Sequence, residues 1–162
     1  WHDQNTSPGD GCECGEDRDG FDVGGVCSSG ADLGNLGDCG SSYAGEATRQ
    51  GTLHNESDID LYFVRTEDAG GGCDFFGDSA TASVELVDGP PGLALCASIR
   101  DEDTGCGGYT SFFDENLCGQ NSYERDGSWL ADDNQELTAW VLWRPDAAPS
   151  CGTYTLKFRG SD

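Results

Sequence analysis

The sequence predicts an all-β protein built as an antiparallel β-sandwich. From residue 46 onward, apolar residues recur at every second position in short runs, and turns rich in Gly, Asp and Pro separate the runs. This period is typical of strands with one buried face, and no segment shows the period of an amphipathic helix. Several short strands joined by turns favour two stacked antiparallel sheets.

Five runs carry the strand pattern. Their buried faces are expected to be Ile59, Leu61 and Phe63; Ala82, Val84 and Leu86; Leu93, Leu95, Ala97 and Ile99; Leu137, Ala139, Val141 and Trp143; and Tyr154, Leu156 and Phe158. The sequence Asp-Gly-Pro-Pro-Gly at residues 88–92 predicts a turn after the second run, because Pro presets φ and Gly accepts positive φ. Weaker strands are expected at residues 51–54 and 128–130.

Residues 1–45 are predicted to be a loop region that disulfides staple onto the sandwich. They contain 11 of the 25 glycines and four of the nine cysteines, and they show almost no hydrophobic period. Such a segment buries too little apolar area to order itself. The sandwich region is assigned to residues 46–162, with a long insert at residues 101–127. A loop of that length is unusual unless a cross-link holds it.

The cysteines predict disulfides and an oxidising compartment, since nine in 162 residues is far above ordinary usage. A zinc site is disfavoured, because the only close pair, Cys12 and Cys14, is too tightly spaced. We expect eight of the nine to be paired. Four in residues 1–45 allow three pairings, a Cys106–Cys118 bridge would close the insert, and one pair is expected among the remaining three. The nine are Cys12, Cys14, Cys27, Cys39, Cys73, Cys96, Cys106, Cys118 and Cys151.

The charge excludes two classes of partner. With 31 acidic residues against eight basic ones, the formal net charge is −23, which repels nucleic acid and anionic membranes. Solubility, calcium binding and adaptation to high salt all agree with this acidity. No run reaches the roughly 18 apolar residues of a membrane helix. The chain begins at Trp1 and lacks Met, so we expect that an N-terminal segment has been removed and that the protein is secreted or on the cell surface.

Calcium is the only cofactor for which the sequence offers candidate ligands. Asp17, Asp19 and Asp22 place three carboxylates in a Gly-containing loop, which suits a hard cation, although the EF-hand order is absent. Asp58 and Asp60 form a second candidate group. Neither of the two histidines lies in a recognisable catalytic motif, so we expect no enzyme activity.

A second apolar face is the most informative feature for function. Trp140 and Leu142 lie opposite the predicted core face of their run, and Tyr62 and Val64 do the same in theirs. Either the N-terminal region or the insert covers this second face, or the face is exposed and binds a partner. An exposed aromatic face would suit another protein or a sugar ring.

The order of the runs resembles a known family. Ser57-Asp58-Ile59-Asp60-Leu61-Tyr62-Phe63-Val64 is similar to the opening strand of the bacterial pre-peptidase C-terminal domain, residues 82–86 and 93–101 resemble its central pair, and residues 137–143 and 152–158 resemble its closing hairpin. The resemblance spans residues 46–162. It implies a jelly-roll-like, secreted, non-catalytic sandwich, of a family thought to bind polysaccharide or protein and in which some relatives carry calcium.

Two functions follow as expectations. The first is a secreted structural or adhesive subunit that assembles with itself into an extracellular or cell-surface structure such as a filament. An extended N-terminal arm starting at Trp1 could add a strand to a neighbour's sheet edge, and the odd cysteine could join two chains. The second is a binding module of a secreted system, stabilised by calcium, for polysaccharide or another surface protein.

Overall fold

A computed structural model describes residues 31–37, 45–53, 58–67, 81–101, 118–126, 135–148, 150 and 152–161. These residues form nine strands and no helix, so none of them builds a helix able to cross a bilayer. The strands are β1 (Ala31–Gly37), β2 (Glu46–Thr52), β3 (Ile59–Glu67), β4 (Thr81–Asp88), β5 (Leu93–Asp101), β6 (Cys118–Gln120), β7 (Ser122–Asp126), β8 (Gln135–Trp143) and β9 (Thr153–Ser161).

The strands form two sheets. The first has the order β1-β3-β8-β5-β6, and the second has the order β2-β9-β4-β7. All strand pairs are antiparallel except β1 with β3. From β2 onward, successive strands alternate between the two sheets except at β5 and β6, which are neighbours in the first sheet. This is the arrangement of an eight-stranded jelly roll. The predicted all-β, jelly-roll-like sandwich is confirmed, and β1 extends its first sheet.

The main core lies between the two sheets. The faces predicted to be buried on β4, β5, β8 and β9 contribute to it, since Val84, Leu95, Val141 and Leu156 are at most 1% exposed. Each such side chain contributes about 1.5–3 kcal/mol to folding through removal of apolar surface from water. The alternating pattern therefore identified the inner faces of these four strands.

For β3, the sequence predicted the wrong face to be buried in the main core. Tyr62 and Val64 point into the main core, whereas Leu61 belongs to a second apolar cluster on the other side of the first sheet. The pairing of β3 with β8 sets these faces, because Leu61 is the register partner of Trp140 and Tyr62 that of Ala139. Both faces of β3 are apolar, so alternation alone could not tell them apart.

Three strands were not predicted. Residues 31–37 form β1, so the loop prediction for residues 1–45 is wrong there. Residues 118–120 and 122–126 form β6 and β7, so the prediction of a long insert at residues 101–127 is wrong over its second part. The weak strand expected at residues 51–54 overlaps the end of β2, which begins at Glu46. The strand expected at residues 128–130 lies outside the described residues.

A disulfide joins Cys96 of β5 to Cys118 of β6, which are register partners in the first sheet. The predicted Cys106–Cys118 bridge is therefore wrong, and so is the pairing of Cys96 with Cys73 or Cys151. The two cysteines are 22 residues apart. For a loop of that length the chain-entropy account gives about 3.4 kcal/mol of stabilisation. The seven other cysteines lie outside the described residues.

Candidate functional site

The apolar face predicted to meet a partner is buried. Trp140 and Leu142 lie on the outer side of the first sheet, where they pack with Leu61 and with the Cys96–Cys118 pair. Trp140 is 2% exposed and Leu142 is 7% exposed. Tyr62 and Val64, which were grouped with them, lie on the opposite side of the sheet in the main core. Of the two alternatives, the exposed partner face is therefore wrong, and the four residues do not lie on one side of the sheet.

Two tyrosines and an aspartate form a hydrogen-bonded group inside the main core. Tyr154 donates its hydroxyl hydrogen to Asp60 Oδ2, and the Tyr62 hydroxyl lies 2.5 Å from the Tyr154 hydroxyl. Burial, followed by the charge of Asp60 and the neighbouring Tyr62, raises the pKa of Tyr154 far above its usual range. All three residues are 0% exposed, so this group cannot touch a substrate and acts as a structural network.

Gly51 makes room for this network. It is the register partner of Tyr154, and a Cβ at position 51 would lie 2.6 Å from Tyr154 Cζ and 2.9 Å from the Tyr62 hydroxyl oxygen. The Tyr154 ring therefore passes directly over the glycine. Sequence analysis missed the network because it placed Tyr62 on the outer face. A tyrosine on each of two apolar runs, with an aspartate two residues before one of them, was the only available signal.

Of the five candidate calcium ligands, the structure describes only Asp58 and Asp60. Asp17, Asp19 and Asp22 lie outside the described residues, and calcium binding there stays a prediction. Asp58 is 6% exposed and Asp60 is 0% exposed, which places both in the sandwich rather than in a solvated turn. The part of the chain that the structure describes contains no group of three or more side chains able to hold a metal ion.

The outer face of the second sheet is exposed and polar. We call one part of it the polar face, defined by nine side chains of β2, β4 and β9: Glu46, Thr48, Gln50, Ser83, Glu85, Thr153, Thr155, Lys157 and Arg159. Two ion pairs cross it, Lys157 to Glu46 at 2.5 Å and Arg159 to Glu85 at 3.2 Å. The hydrogen bond and charge of Lys157 lower the pKa of Glu46. These nine side chains include no aromatic ring, so the polar face offers hydrogen bonds rather than ring stacking.

Three of the four sheet edges carry features that prevent strand addition. In the first sheet, β1 has a register shift between Asp32 and Asn35, and β6 has only three residues. In the second sheet, β7 has five residues and ends in Glu-Arg-Asp. Bulges, short length and charges are the usual protections of an edge.

The fourth edge, β2, lacks these protections. All seven of its residues pair with β9 in an unbroken register, and its sequence, EATRQGT, contains no Pro and has one acid and one base. Among the described residues, no strand pairs with its other side. β2 is therefore a long, regular edge that is electrically neutral.

The direction of the backbone groups on β2 follows from one hydrogen bond. Gly160 N–H donates to the Gly45 carbonyl at 2.9 Å, which makes this pair a hydrogen-bonded pair of the β2–β9 ladder. Such pairs recur at every second residue, so Glu46, Thr48 and Gln50 direct their N–H and C=O groups away from β9. Arg49 Nη1 donates to the Thr48 carbonyl at 2.9 Å, which agrees with that direction.

A small cleft lies beside the turn between β4 and β5. It has a volume of about 340 Å³ and is lined by Val87, Asp88, Pro90, Pro91 and Arg144, among others. Val87 is 54% exposed, and Arg144 is exposed as well. The cleft lies at the lower end of the size range of ligand sites.

Comparison with known proteins gives only distant structural matches. No family profile and no curated protein matches the sequence. The structure matches the periplasmic g-type lysozyme inhibitor PliG of Aeromonas hydrophila at 10% identity and a TM-score of 0.37, over 80% of this chain and 99% of that one. It matches PliG of Salmonella Typhimurium at 15% identity and a TM-score of 0.38, over 78% and 97% of the two chains.

A third match is the pre-peptidase C-terminal domain of collagenase from Bacillus anthracis. The identity is 16% and the TM-score is 0.36, over 81% of this chain and 95% of that domain. A pre-peptidase C-terminal domain is thus among the matched structures, as the sequence motifs predict. Matches this distant transfer no function, and the β-sandwich assignment rests on the strands of the chain itself.

Proposed function

We propose that this protein is a secreted, non-catalytic structural or adhesive subunit that associates with further copies of itself, as in a filament or another cell-surface structure. The observation that carries the proposal is the regular, neutral and unprotected edge of β2. Natural sandwiches protect such edges unless another chain pairs with them. Among the strands that the structure describes, the three other edges are protected and this one is not.

The chemistry of the chain supports a location outside the cytoplasm. The Cys96–Cys118 disulfide is buried beside Trp140, and seven further cysteines are present in the sequence. Disulfides of this kind persist in oxidising compartments. The acidic surface supports the same location, since it keeps the separate chains soluble after export.

The charge also sets the conditions for association. Two chains of net charge −23 repel each other at long range. Salt screens this repulsion, because the Debye length falls from about 10 Å at 0.1 M to about 3 Å at 1 M ionic strength. Association should therefore become stronger as NaCl is added, which is the opposite of an interface held by salt bridges.

The test is the molar mass of the oxidised protein in solution. Light scattering coupled to size exclusion, and sedimentation velocity, would be recorded at about 0.1 M and about 1 M NaCl. We expect masses above that of one 17.1 kDa chain, with a larger share of the assembled form at high salt. A gel run with and without reductant separates association through β2 from an interchain disulfide by the spare cysteine. A single chain at every concentration and salt level would refute the proposal.

A second candidate function is a binding module for an uncharged polysaccharide or another surface protein, which the cleft beside Arg144 favours. The exposed guanidinium offers several donors to hydroxyl or carbonyl oxygens, and Pro90 and Pro91 give the cleft rigid walls. Affinity electrophoresis in gels containing neutral polysaccharides tests it. Arg144→Ala should remove any retardation, whereas Arg159→Ala, on the polar face, should retain it. If both variants are retarded equally, the cleft is not the binding site.

A further inference from the structure

We propose that the second copy docks through its own β2, antiparallel to the first, with a two-fold axis at Thr48, so that the two second sheets join into one. This inference rests on the proposed self-association and names the surface responsible for it. It concerns β2 alone, and the four-stranded order β2-β9-β4-β7 would then continue through the axis into its copy.

The backbone of β2 is arranged for this pairing. Glu46, Thr48 and Gln50 all direct their N–H and C=O groups outward, at every second position along the strand. In an antiparallel pair, residues of this kind face each other and exchange two hydrogen bonds per pair. Three such pairs across the axis give about six new backbone hydrogen bonds without disturbing the ladder to β9.

The side chains are compatible with this register and disfavour one of its neighbours. With the axis at Thr48, threonine faces threonine, and Glu46 faces Gln50 of the second copy. Arg49 then faces Ala47, a small neutral side chain. Moving the axis by one residue to Arg49 would place two guanidinium groups opposite each other, which is destabilising. The Thr48 register is therefore compatible in charge along its whole length.

The neutrality of β2 also limits the repulsion between two highly acidic chains that meet along it. β2 carries one Glu and one Arg and is neutral, while the whole chain carries −23. Arg49 now caps the Thr48 carbonyl at 2.9 Å. Because this side chain is flexible and at the surface, it can turn aside when a strand N–H takes its place. In the separate chain this contact satisfies one outward carbonyl, and in the pair a strand N–H replaces it.

The three other sheet edges cannot pair with β2 of another copy, so this pairing is limited to two chains. The bulge of β1, the three-residue β6 and the charged β7 offer no regular partner for β2 of another copy. When a strand pairs with its own copy across a two-fold axis, both free edges become paired, so no third chain can add there. The unit formed through β2 is thus a dimer, and any longer assembly would be built from dimers through another surface.

Proline substitution tests the surface. In Thr48→Pro the outward N–H is lost, but the β2–β9 ladder keeps its bonds, because Thr48 N–H does not point to β9. The matched control is Glu124→Pro on β7, at the opposite edge of the same sheet. Leu86 N–H donates to the Asn121 carbonyl at 2.8 Å, so the N–H of Glu124 also points outward. We expect dimerisation at high salt to weaken at least tenfold in Thr48→Pro and to persist in Glu124→Pro, with far-UV circular dichroism unchanged in both.

Cysteine cross-linking tests the register. In the Thr48 register the two Thr48 Cα atoms would lie about 5.5 Å apart, within disulfide range, whereas the two Gln50 Cα atoms would lie about 14 Å apart. Thr48→Cys should therefore give a covalent dimer under mild oxidation, above the wild-type background, and Gln50→Cys should not. A covalent dimer from Gln50→Cys instead would overturn this register. If the wild type associates but Thr48→Pro associates equally well, the β2 surface is refuted while self-association stands. If the wild type never associates, the proposed function fails as well.

Discussion

Gly51→Ala tests whether the network beneath β2 is as tightly packed as its geometry indicates. The added Cβ would lie 2.6 Å from Tyr154 Cζ and 2.9 Å from the Tyr62 hydroxyl oxygen, and real Cβ contacts essentially never fall below 3.0 Å. A tyrosine at the surface would simply swing away. Tyr154 is 0% exposed, and its hydroxyl is held by Asp60, so it cannot move without losing that bond.

The magnitude follows from two costs. Forcing a methyl group into a filled core costs about 1–3 kcal/mol. Displacing the Tyr154 hydroxyl weakens a hydrogen bond to a carboxylate, which is worth about 1.5–3 kcal/mol. We therefore expect Gly51→Ala to lower the free energy of unfolding by about 2.5–6 kcal/mol, which in a chain of this size lowers Tm by about 5–24 °C.

Urea unfolding followed by circular dichroism, with the disulfides intact, measures this change. Gly45→Ala is the matched control, because Gly45 is exposed and its nearest atom to an added Cβ is the Gly160 carbonyl oxygen at 3.4 Å. Its effect should stay within about 0.5 kcal/mol. If Gly51→Ala unfolds at the same urea concentration as Gly45→Ala, the tyrosines have room to move and the packing argument is wrong.

Three further predictions concern stability. Replacing Cys96 and Cys118 together by Ala should lower the free energy of unfolding, measured in urea, by about 3.4 kcal/mol. An unchanged free energy would show that the disulfide does not restrict the unfolded chain. Trp140→Ala should cost about 3–5 kcal/mol because the ring is buried, and an unchanged Tm would contradict that burial. The raised pKa of Tyr154 means that only the folded chain keeps this proton above about pH 10, so stability should fall there by about 1.4 kcal/mol per pH unit. Unfolding curves from pH 8 to 12 measure it, and Tyr154→Phe should flatten the slope.

The alternation of apolar and polar residues predicted strands correctly where one face is apolar and the turns are distinct. It succeeded for β4, β5, β8 and β9, whose inner residues include Val84, Leu95, Val141 and Leu156. It could not find β1 or β6, because ADLGNLG and CGQ contain too few apolar side chains for a pattern. These strands are held by pairing with β3 and β5 and by a disulfide, and such contacts are invisible in local sequence.

The candidate site was less predictable than the fold. For Trp140 and Leu142 the sequence left two alternatives, a covered face and an exposed one, because local sequence carries no information about what packs over a sheet. The partner of Cys118 was equally hidden, since its pairing with Cys96 follows from strand register rather than from spacing. The edge of β2 became apparent only when the order of the strands was known, because the same seven residues in a central strand would present no open backbone.

The strand order also constrains the sequence in which the sheets can be completed. β8 separates β3 from β5, and β9 separates β2 from β4, so the last two strands form the middle of both sheets. Until residues 135–161 have been synthesised, β3 and β5 lack the strand between them, and so do β2 and β4, so neither sheet can be completed. β8 and β9 lie in different sheets, so they do not form the closing hairpin that the family resemblance implies, and the insertion of each one joins the two halves of its own sheet.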